Sequence, residues 1–396
     1  MKISLYGNVL NLSFLMGLFL RRTGHDVRVF INEGGPGEYM PEWECVDEAE
    51  LAALPVTRVK TDLKRLLLGG SAERRLRAEL ADADVVQTFG EDVVWSAGCG
   101  APNTVLSVGD DLDILPFRRD TLRIRVYAAM LRRAQRRCTA VCYTMPQQAH
   151  SCRTLGLEHA RFLPCAIPID TDRLAPLTIG ERAAVRERFG LSPDSLVVFQ
   201  PSRQEWTCPE FPGSNHKGND RLLRAFARFV SGGGRGRDAV LLAVARGRDV
   251  AASQALAADL GIDRHIRWIP QQNKQGLREC VGASDIVADQ FTYGFYGISA
   301  LEAMSVGRPV LVHLQSAGLE GFGIDAPPVV SVRSEEEIYQ ALVHLAEDRV
   351  QAGEAGAAAR TWVVRHHGWE AVTERFLRLY NELAGTSAVA AQATAR

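Results

Sequence analysis

The strongest constraint on the fold is a repeated alternation of short apolar segments with longer amphipathic ones, which restarts about halfway along the chain. The first series opens with the apolar segment Lys2–Gly7, a helical run and a second apolar segment, His25–Phe30. A charged stretch over residues 179–190 separates this series from a second one that begins at Ser195–Gln200. Strands that alternate with helices form mostly parallel sheets covered on both faces. We therefore predict an α/β protein of two Rossmann-like domains in series.

The predicted boundaries follow from these two series. The N-terminal domain covers residues 1–172 and the C-terminal domain residues 173–365, followed by a last helix over 366–385 and a disordered tail over 386–396. The last helix carries apolar residues at helical spacing and ends at Gly385. These residues are Trp369, Val372, Phe376, Leu379 and Leu383. The further strand segments are Asp84–Thr88, Thr104–Val108, Val141–Thr144, Ala239–Ala245, His265–Ile269, Asp285–Ala288, Pro309–His313 and Pro328–Ser331, with Phe162–Asp170 closing the first series.

Composition excludes several classes of protein. A chain of 396 residues with a net charge of −1 fits two ordinary globular domains and lacks the basic excess of a nucleic-acid-binding protein, so no nucleic-acid partner is expected. The eight cysteines show no Cys-x2-Cys spacing and are interpreted as reduced thiols of a cytosolic enzyme. The apolar stretch Val9–Leu20 is shorter than the roughly 20 residues that span a bilayer. With no basic leader before it, we expect no signal peptide and a cytoplasmic protein.

The most informative segment is the glycine-bearing loop between the strand Asp285–Ala288 and a short helix that begins near Ile298. Gly294 and Gly297 allow close approach of the backbone to a ligand, and the helix N-terminus favours an anion such as a diphosphate. Glu302, one turn into this helix, is placed to accept hydrogen bonds from two adjacent hydroxyls, as in a ribose. An isolated Gly-x2-Gly of this kind is more often only a tight connection.

Two cations upstream support the ligand interpretation of this loop. Arg203 follows the first strand of the second domain, and Lys217 precedes its first helix. Strand ends and helix starts are favoured ligand positions in such sheets. A guanidinium and an ammonium group together are able to neutralise a diphosphate leaving group. Either cation alone is as readily a solvated surface charge.

In this order, these segments resemble the family-4 retaining glycosyltransferases of the GT-B fold. The resemblance covers about residues 160 to 385, whereas the first 150 residues match only in general layout. The order of the matched segments makes the resemblance fairly specific. These segments are Pro168–Asp170 with Pro176, Arg203, Lys217–Gly218, Gly294–Glu302, Leu301–Val310 and Trp369–Glu370.

The resemblance implies a donor site in the second domain. Arg203 and Lys217 would bind the diphosphate of a nucleotide-sugar donor, and Glu302 the nucleoside ribose. It further implies two sheets that face each other across a cleft, a last helix that crosses back to the first domain, and retaining transfer without a metal or other cofactor. The donor-loop residues that it implies are Gly294, Phe295, Tyr296, Gly297, Ile298 and Ser299.

One departure from the family pattern lies in the donor loop. The family usually has a glutamate that contacts the donor sugar eight residues before Glu302, but this chain has Gly294 there. Either Asp289 or an acceptor group replaces the glutamate, or the donor lacks the hydroxyl that it holds.

A second departure lies on the acceptor side. The family commonly has a histidine in a first-domain loop near the reacting sugar, and the corresponding stretch here is Ser107–Asp113. Asp110 and Asp111 are the candidates to replace it. Gly7 and Asn8, at the end of the first strand, are the other candidate acceptor-side residues.

We expect no metal site in this chain. Asp82-Ala-Asp84 resembles a metal-binding Asp-x-Asp motif, but it precedes a buried strand, where turn-forming aspartates are common. Asp111-Leu-Asp113 lies in a loop where the ligand cleft is expected, so it is the better of the two candidates, but metal binding is the less favoured interpretation there as well. His366-His367 is interpreted as part of the connection before the last helix.

An arginine-rich run over residues 118–137 suggests a basic face on the first domain. Leu122, Val126, Met130 and Ala134 form the apolar face of this predicted helix. The basic face is suited to weak contact with an anionic membrane surface or an acidic acceptor. A plain solvated helix is at least as good an interpretation.

The function predicted from these features is transfer of a sugar from a nucleoside-diphosphate sugar to a hydroxyl of a small or lipid-linked acceptor, with retention. A GT-B nucleotide-sugar epimerase would use the same site but requires acid and base groups around the sugar. A nucleotide-sugar-binding protein without transfer activity is the third possibility, motivated by Gly294. The donor base stays open, because the contacts expected near Trp268–Gln272 are largely from the backbone.

Overall fold

The computed structural model describes residues 1–33, 36–44, 47–61, 70–210, 215–315 and 325–394, apart from the side chains of Arg235 and of residues 386–394. The chain divides into two compact units, the first made of Met1–Pro168 and Trp369–Arg396 and the second of Ile169–Gly368. The sequence places these boundaries after residues 172 and 365, whereas in the structure they follow residues 168 and 368.

The first unit is built on a seven-stranded parallel sheet in the order β3-β2-β1-β4-β5-β6-β7. All five residues of β4 are buried, which fits a central strand covered on both faces. The edge strand β3 was not predicted, because its two middle residues, Thr57 and Arg58, are exposed and give no apolar run. The strands are β1 Lys2–Tyr6, β2 Asp26–Asn32, β3 Val56–Val59, β4 Val85–Phe89, β5 Asn103–Leu106, β6 Ala140–Tyr143 and β7 Ala160–Phe162.

Helices and short turns connect these strands. The helix after β1 is buried along most of its length, with Phe14, Met16 and Phe19 fully enclosed in the core of the unit. The α-helices are α1 Leu12–Arg22, α2 Glu48–Ala53, α3 Ser71–Ala81, α4 Val93–Ser96, α5 Asp110–Asp113, α6 Leu122–Arg137 and α7 Gln148–Leu155. The 3-10 turns are Val9–Asn11, Gly37–Tyr39, Pro41–Glu44, Gly90–Asp92 and Leu115–Phe117.

The second unit repeats this arrangement with a six-stranded parallel sheet in the order β10-β9-β8-β11-β12-β13. Each predicted strand segment of this half is present, with shifted ends. The predicted fold class, α/β with two Rossmann-like sheets, is therefore confirmed. The strands are β8 Val197–Gln200, β9 Val240–Val244, β10 Ile266–Ile269, β11 Ile286–Ala288, β12 Val310–Val312 and β13 Val330–Ser331.

The helices Asn219–Ser231 and Glu335–Glu347 of the second unit pack side by side over its core. Leu222, Phe226 and Leu342 are completely buried there. Burial of such side chains stabilises a fold by about 1.5–3 kcal/mol each. The α-helices are α8 Ile179–Arg188, α9 Asn219–Ser231, α10 Val250–Asp259, α11 Lys274–Ala283, α12 Ile298–Ser305, α13 Glu335–Glu347 and α14 Arg349–His367. The 3-10 turns are Gly234–Gly236 and Asp263–His265.

The last helix, α15 Trp369–Thr394, belongs to the first unit. Its predicted apolar stripe packs into the core formed by α1 and the central strands, and the Trp369 ring stacks on Phe19 with centroids 5.5 Å apart. The Tyr380 hydroxyl donates to Gln87 Oε1 over 3.2 Å. The predicted end at Gly385 is wrong, because the helix continues to Thr394 through a stretch rich in alanine, which favours helix. Residues 395–396 lie outside the described residues.

Candidate active site

Both sheets place a ligand site at the same topological position. In each sheet the strand order reverses direction beside the first strand, between β1 and β4 in the first unit and between β8 and β11 in the second. Loops that leave the carboxyl ends of such strands form the usual ligand crevice of parallel α/β sheets. In the second unit, these loops carry Arg203 after β8 and residues 289–297 after β11.

Backbone hydrogen bonds bring the two predicted cations of the second unit to this edge. The Lys217 amide donates to Glu205 O over 2.6 Å, and the Lys217 carbonyl accepts from the Phe291 amide over 2.9 Å. Lys217 thus joins the loop after β8 to the loop after β11. The Arg203 guanidinium lies 3.3 Å from Glu205 Oε1 and 3.5 Å from Asn215 Oδ1, and its side chain is 37% exposed. The Arg203 guanidinium is thus ion-paired with Glu205 but stays partly open to solvent.

A buried glutamine, Gln290, holds the loop after β11 in shape. Its amide nitrogen donates to Phe295 O over 2.6 Å. Its side-chain oxygen accepts from the amides of Thr292 and Tyr293 over 3.2 Å and 2.8 Å. Sequence reasoning missed this residue, because nothing in its local pattern distinguishes a loop clamp from any other polar side chain.

Tyr296, predicted as a donor-loop residue, directs its side chain into the second unit rather than toward a ligand. Its hydroxyl lies 3.3 Å from His367 Nε2, and its ring meets Trp362 and His367 edge to face. Only its backbone remains for ligand binding. The interpretation of His366-His367 as a connection is wrong, since both residues form the last turn of α14 and are buried.

The helix that follows the loop begins without a side-chain cap. Gly297 is the N-cap of α12, and no side chain there accepts a hydrogen bond from the first helical amides. Uncapped amides and the positive end of the helix dipole favour an anionic group at this position. The backbone of Gly297, Ile298 and Ser299 is therefore suited to a phosphate.

Glu302 is buried and forms an ion pair with Lys274 Nζ through its Oε1. The Lys274 side chain is 24% exposed and that of Glu302 only 7%. Lys274 begins α11, whose N-cap Asn273 accepts from the Gly276 amide over 2.9 Å. The sequence indicated Glu302 but not its partner, because 28 residues separate them along the chain. The pairing orients the carboxylate toward the same edge of the sheet.

Asp289 lies at the end of β11, beneath the loop, and is 4% exposed. Burial raises the pKa of its carboxyl to about 6, with the positive charge of Lys217 lowering it and the negative charge of Glu302 raising it. These interactions link Asp289 electrostatically to both predicted ligand residues. A Cβ at Gly297 would lie 3.8 Å from Asp289 Oδ2, so the carboxylate is close to the helix start.

Gly294 adopts a left-handed backbone with φ of +78°. A Cβ at this position would lie 3.0 Å from Gln315 Cδ, and the Gln315 amide donates to Gly294 O over 3.0 Å. Non-glycine residues pay about 1–2 kcal/mol for such a backbone. A side chain at position 294 would therefore meet both an unfavourable backbone conformation and the side chain of Gln315.

At the corresponding edge of the first unit, Gly7 and Asn8 belong to a closed polar network. Gly7 has φ of +116°, and a Cβ there would lie 2.6 Å from Asp92 Oδ2. The Asn8 amide donates to this oxygen over 3.1 Å, while Asn32 Nδ2 donates to Asp92 Oδ1 over 2.8 Å. Burial raises the pKa of Asp92 to about 6. The Asn8 side chain is buried and donates to Asn32 O over 3.1 Å, so it shapes this edge rather than facing solvent.

The two aspartates proposed to replace a histidine differ from each other. Asp111 is 3% exposed, and its Oδ1 accepts from the amides of Val108 and Gly109 over 2.9 Å and 3.1 Å. Burial raises its pKa to about 7. Asp111 therefore builds the turn after β5, whereas Asp110 is exposed at the start of α5.

The arginine-rich run forms α6 and the turn before it, but its apolar face differs from the prediction. The buried residues of α6 are Ala128, Leu131, Ala134 and Gln135, and Leu131 and Ala134 join the core around Val105. Leu122 is instead 75% exposed. It lies in a surface pocket of about 480 Å³ rich in arginine. The pocket is lined by Arg118, Arg119, Leu122, Arg125, Val126, Ala129 and Arg132.

Other candidate features have structural roles. Lys2 binds both aspartates of the Asp82-Ala-Asp84 motif, through an ion pair of 2.5 Å to Asp82 and an amide hydrogen bond of 2.8 Å to Asp84. Within the described ranges, no group of three or more His, Cys, Asp or Glu residues is arranged to hold a metal ion. Among those same residues, no helix is long and apolar enough to cross a membrane. Seven cysteines are free thiols, and Cys45 lies outside the described residues.

Known proteins resemble this chain in sequence and in fold. Residues 213–360 match the family described as glycosyl transferases group 1. The chain is 28% identical to the GDP-mannose-dependent alpha-(1-6)-phosphatidylinositol monomannoside mannosyltransferase of Mycolicibacterium smegmatis, over 86% of this chain and 88% of the relative. It is 24% identical to the GDP-mannose-dependent monoacylated alpha-(1-6)-phosphatidylinositol monomannoside mannosyltransferase of Corynebacterium glutamicum, over 79% of this chain and 72% of the relative.

A solved structure extends the likeness over almost the whole chain. Sucrose-phosphate synthase from Thermosynechococcus elongatus superposes with a TM-score of 0.69, covering 98% of this chain and 100% of that one at 15% identity. Identity this low speaks for the fold alone. The resemblance carried by the sequence motifs is confirmed, and the chain is a glycosyltransferase of the GT-B fold that resembles glycosyltransferase family 4, the glycosyl transferases group 1.

Proposed function

We propose that this glycosyltransferase moves mannose from GDP-mannose to a hydroxyl of a lipid-linked acceptor, with retention of configuration and without a metal ion. The donor and acceptor classes are suggested by two relatives whose names specify GDP-mannose and phosphatidylinositol mannosides. Both relatives align with most of this chain.

The observation that carries the proposal is the distribution of charge at the carboxyl edge of the second sheet. Arg203 and Lys217 supply positive charge, and the uncapped N-terminus of α12 supplies oriented amides. Glu302, held by Lys274, offers carboxylate oxygens one turn along the same helix. An anion next to a hydroxyl-bearing ring is the combination that a nucleoside diphosphate presents.

The proposed chemistry needs no enzymic nucleophile. The bond between the anomeric carbon and the diphosphate oxygen breaks, and Arg203, Lys217 and the helix N-terminus stabilise the charge on the departing diphosphate. The acceptor oxygen bonds to the anomeric carbon on the same face. Because this bond forms on the face from which the diphosphate departs, configuration is retained, and the acceptor proton passes to an oxygen of the departing phosphate. Positioning of the two substrates would supply much of the remaining rate.

We further propose weak contact between the arginine pocket and an anionic membrane surface, with the enzyme acting in the cytoplasm. The exposed Leu122 within a ring of arginines provides an apolar contact surrounded by positive charge. Co-sedimentation with phosphatidylinositol vesicles should exceed that with phosphatidylcholine vesicles and decrease with salt. Replacement of Arg118, Arg119 and Arg125 by Gln should abolish the difference, and equal binding to both vesicles would contradict this contact.

The test of the proposed function is a product assay with radiolabelled GDP-mannose and a lipid extract, with and without EDTA. We expect mannosylated lipid with an α linkage, formed equally in EDTA and lost in Arg203→Ala. Appearance of an altered free sugar nucleotide instead would favour an epimerase. Tight GDP-mannose binding with no product in any fraction would favour a binding protein without transfer activity.

A further inference from the structure

Gln315 lies where a side chain from position 294 would otherwise be. It follows β12, and its backbone amide donates to Gly294 O over 3.0 Å. A Cβ built on Gly294 would lie 3.0 Å from Gln315 Cδ, 3.1 Å from Cγ and 3.2 Å from Oε1. The carboxamide therefore borders the donor loop at the point where the glutamate is missing, and the residue is exposed.

The sheet order gives a direction to a donor bound at this edge. Lys274, the partner of Glu302, follows β10, which is the edge strand on one side, whereas Gln315 follows β12 on the other side of β11. A nucleoside held at Glu302 and a diphosphate at the start of α12 leave the far side of the loop for the sugar. This step rests on the proposed function, since it takes Glu302 as the ribose site.

Three other polar side chains of this region, Gln290, Tyr296 and Asp289, are engaged elsewhere or buried. Gln290 uses its carboxamide to hold the loop backbone. The Tyr296 hydroxyl lies beside His367 Nε2, and Asp289 is buried beneath the loop. By contrast, no hydrogen bond joins the Gln315 carboxamide to another of the described residues.

From this placement, we infer that Gln315 is a specificity-determining residue that hydrogen-bonds a hydroxyl of the donor sugar. A carboxamide both donates and accepts, so it binds a hydroxyl in either orientation and brings no charge next to the diphosphate. A carboxylate at position 294 would accept only. The chain thus supplies the sugar contact from the neighbouring strand end instead of from the loop itself.

The test compares GDP with GDP-mannose, because only the latter carries the sugar. Calorimetric titration of Gln315→Ala should show GDP-mannose affinity reduced roughly 3- to 10-fold, the range of one lost neutral hydrogen bond, and unchanged GDP affinity. Gln315→Glu keeps oxygens that accept from a hydroxyl and should retain part of the preference for GDP-mannose. Gln340→Ala, an exposed glutamine on α13 whose amide donates to Glu336, is the matched control and should change neither affinity.

The remaining outcomes separate this inference from the proposed function. Equal losses of GDP and GDP-mannose affinity in Gln315→Ala would overturn the inference, because a residue that only positions the loop acts on both ligands. Unchanged affinity for both ligands would overturn it as well. If the wild-type protein binds neither ligand, the proposed donor fails first and the inference falls with it.

Discussion

The first six strands of each unit follow the same order, but different side chains lie where the two sheets reverse direction. At the edge of the second sheet, Arg203, Lys217 and an uncapped helix start provide positive potential. At the edge of the first, Asp92 is bound by backbone and amide groups, and burial with the nearby charges of Asp92 and Asp110 raises the pKa of Glu91. Topology thus determines where a ligand site forms, while the loop side chains determine which charge it accepts.

The largest effect should come from removing a cation of the second unit. Arg203→Ala is expected to lower kcat/KM for GDP-mannose by roughly 10²- to 10³-fold, because a charge that stabilises the departing diphosphate is lost. The measurement is initial-rate kinetics of mannosyl transfer. Arg224→Ala, an exposed arginine on α9, is the control and should leave the rate unchanged. If Arg203→Ala shows wild-type kinetics, Arg203 does not stabilise the departing diphosphate, and the proposed role of positive charge at the edge of the second sheet is contradicted.

In the first unit, we expect a substitution at the edge of the sheet to lower the free energy of unfolding. Gly7→Ala combines a left-handed backbone with a Cβ only 2.6 Å from Asp92 Oδ2, so we expect a loss of about 2–4 kcal/mol in the free energy of unfolding. Urea denaturation measures it. Gly24→Ala has φ of +84° but no atom within 4 Å of its Cβ and should lose about 1–2 kcal/mol. Equal losses of stability in Gly7→Ala and Gly24→Ala would contradict this prediction, because they would show that the Asp92 network accommodates the added methyl group at no further cost.

A smaller loss is expected at Gly294, the left-handed glycine of the donor loop. Gly294→Ala should cost about 1–2 kcal/mol, because the clash is with a flexible side chain, Gln315, rather than with a buried network. Gly353→Ala, within α14 and with no atom within 4 Å of its Cβ, should be neutral or stabilise by up to about 1 kcal/mol. The same urea series measures both. A larger loss of stability in Gly294→Ala than in Gly7→Ala would contradict this prediction, because it would show that the donor loop accommodates an added methyl group less well than the Asp92 network does.

The smallest expected effect is a pH dependence of the affinity for GDP-mannose, which arises from Asp289 in the second unit. Asp289 has a pKa raised to about 6, and a nearby diphosphate would raise it further, so donor binding should take up a proton. GDP-mannose affinity is therefore expected to fall roughly 3- to 10-fold as the pH rises from 5 to 8. Calorimetry across this range measures it. Asp289→Asn should remove the dependence, whereas Asp92→Asn should preserve it, although the pKa of Asp92 is also about 6.

The sequence predicts the architecture well because its signals are local. Buried strands such as β8 and β11 are short apolar runs, and their periodicity was enough to place both sheets. The edge strand β3 was missed because Thr57 and Arg58 are exposed. The apolar face of α6 was rotated in the prediction, since the small Ala128 is buried there and Leu122 is not.

The candidate site was predictable only in part. Arg203, Lys217 and Glu302 have motif signals, and the structure brings their loops to one edge of the sheet. Lys274 and Gln315 have no such signal. Lys274 pairs with Glu302 and Gln315 with Gly294, and the two residues of each pair lie in segments that are distant in sequence. The left-handed conformation of Gly294, which disfavours a glutamate there, and its hydrogen bond with the Gln315 amide likewise have no signal in the sequence. Periodicity and motif spacing do not encode such contacts.

The return of α15 to the first unit has a consequence for synthesis of the protein. The second unit is one continuous segment, Ile169–Gly368, so it is complete before the chain ends. The first unit leaves the ribosome earlier but lacks Val372, Phe376 and Tyr380, all completely buried in its core, until α15 emerges. The half that is made first is therefore finished last, and a nascent chain stalled near residue 368 would expose an unfilled apolar surface.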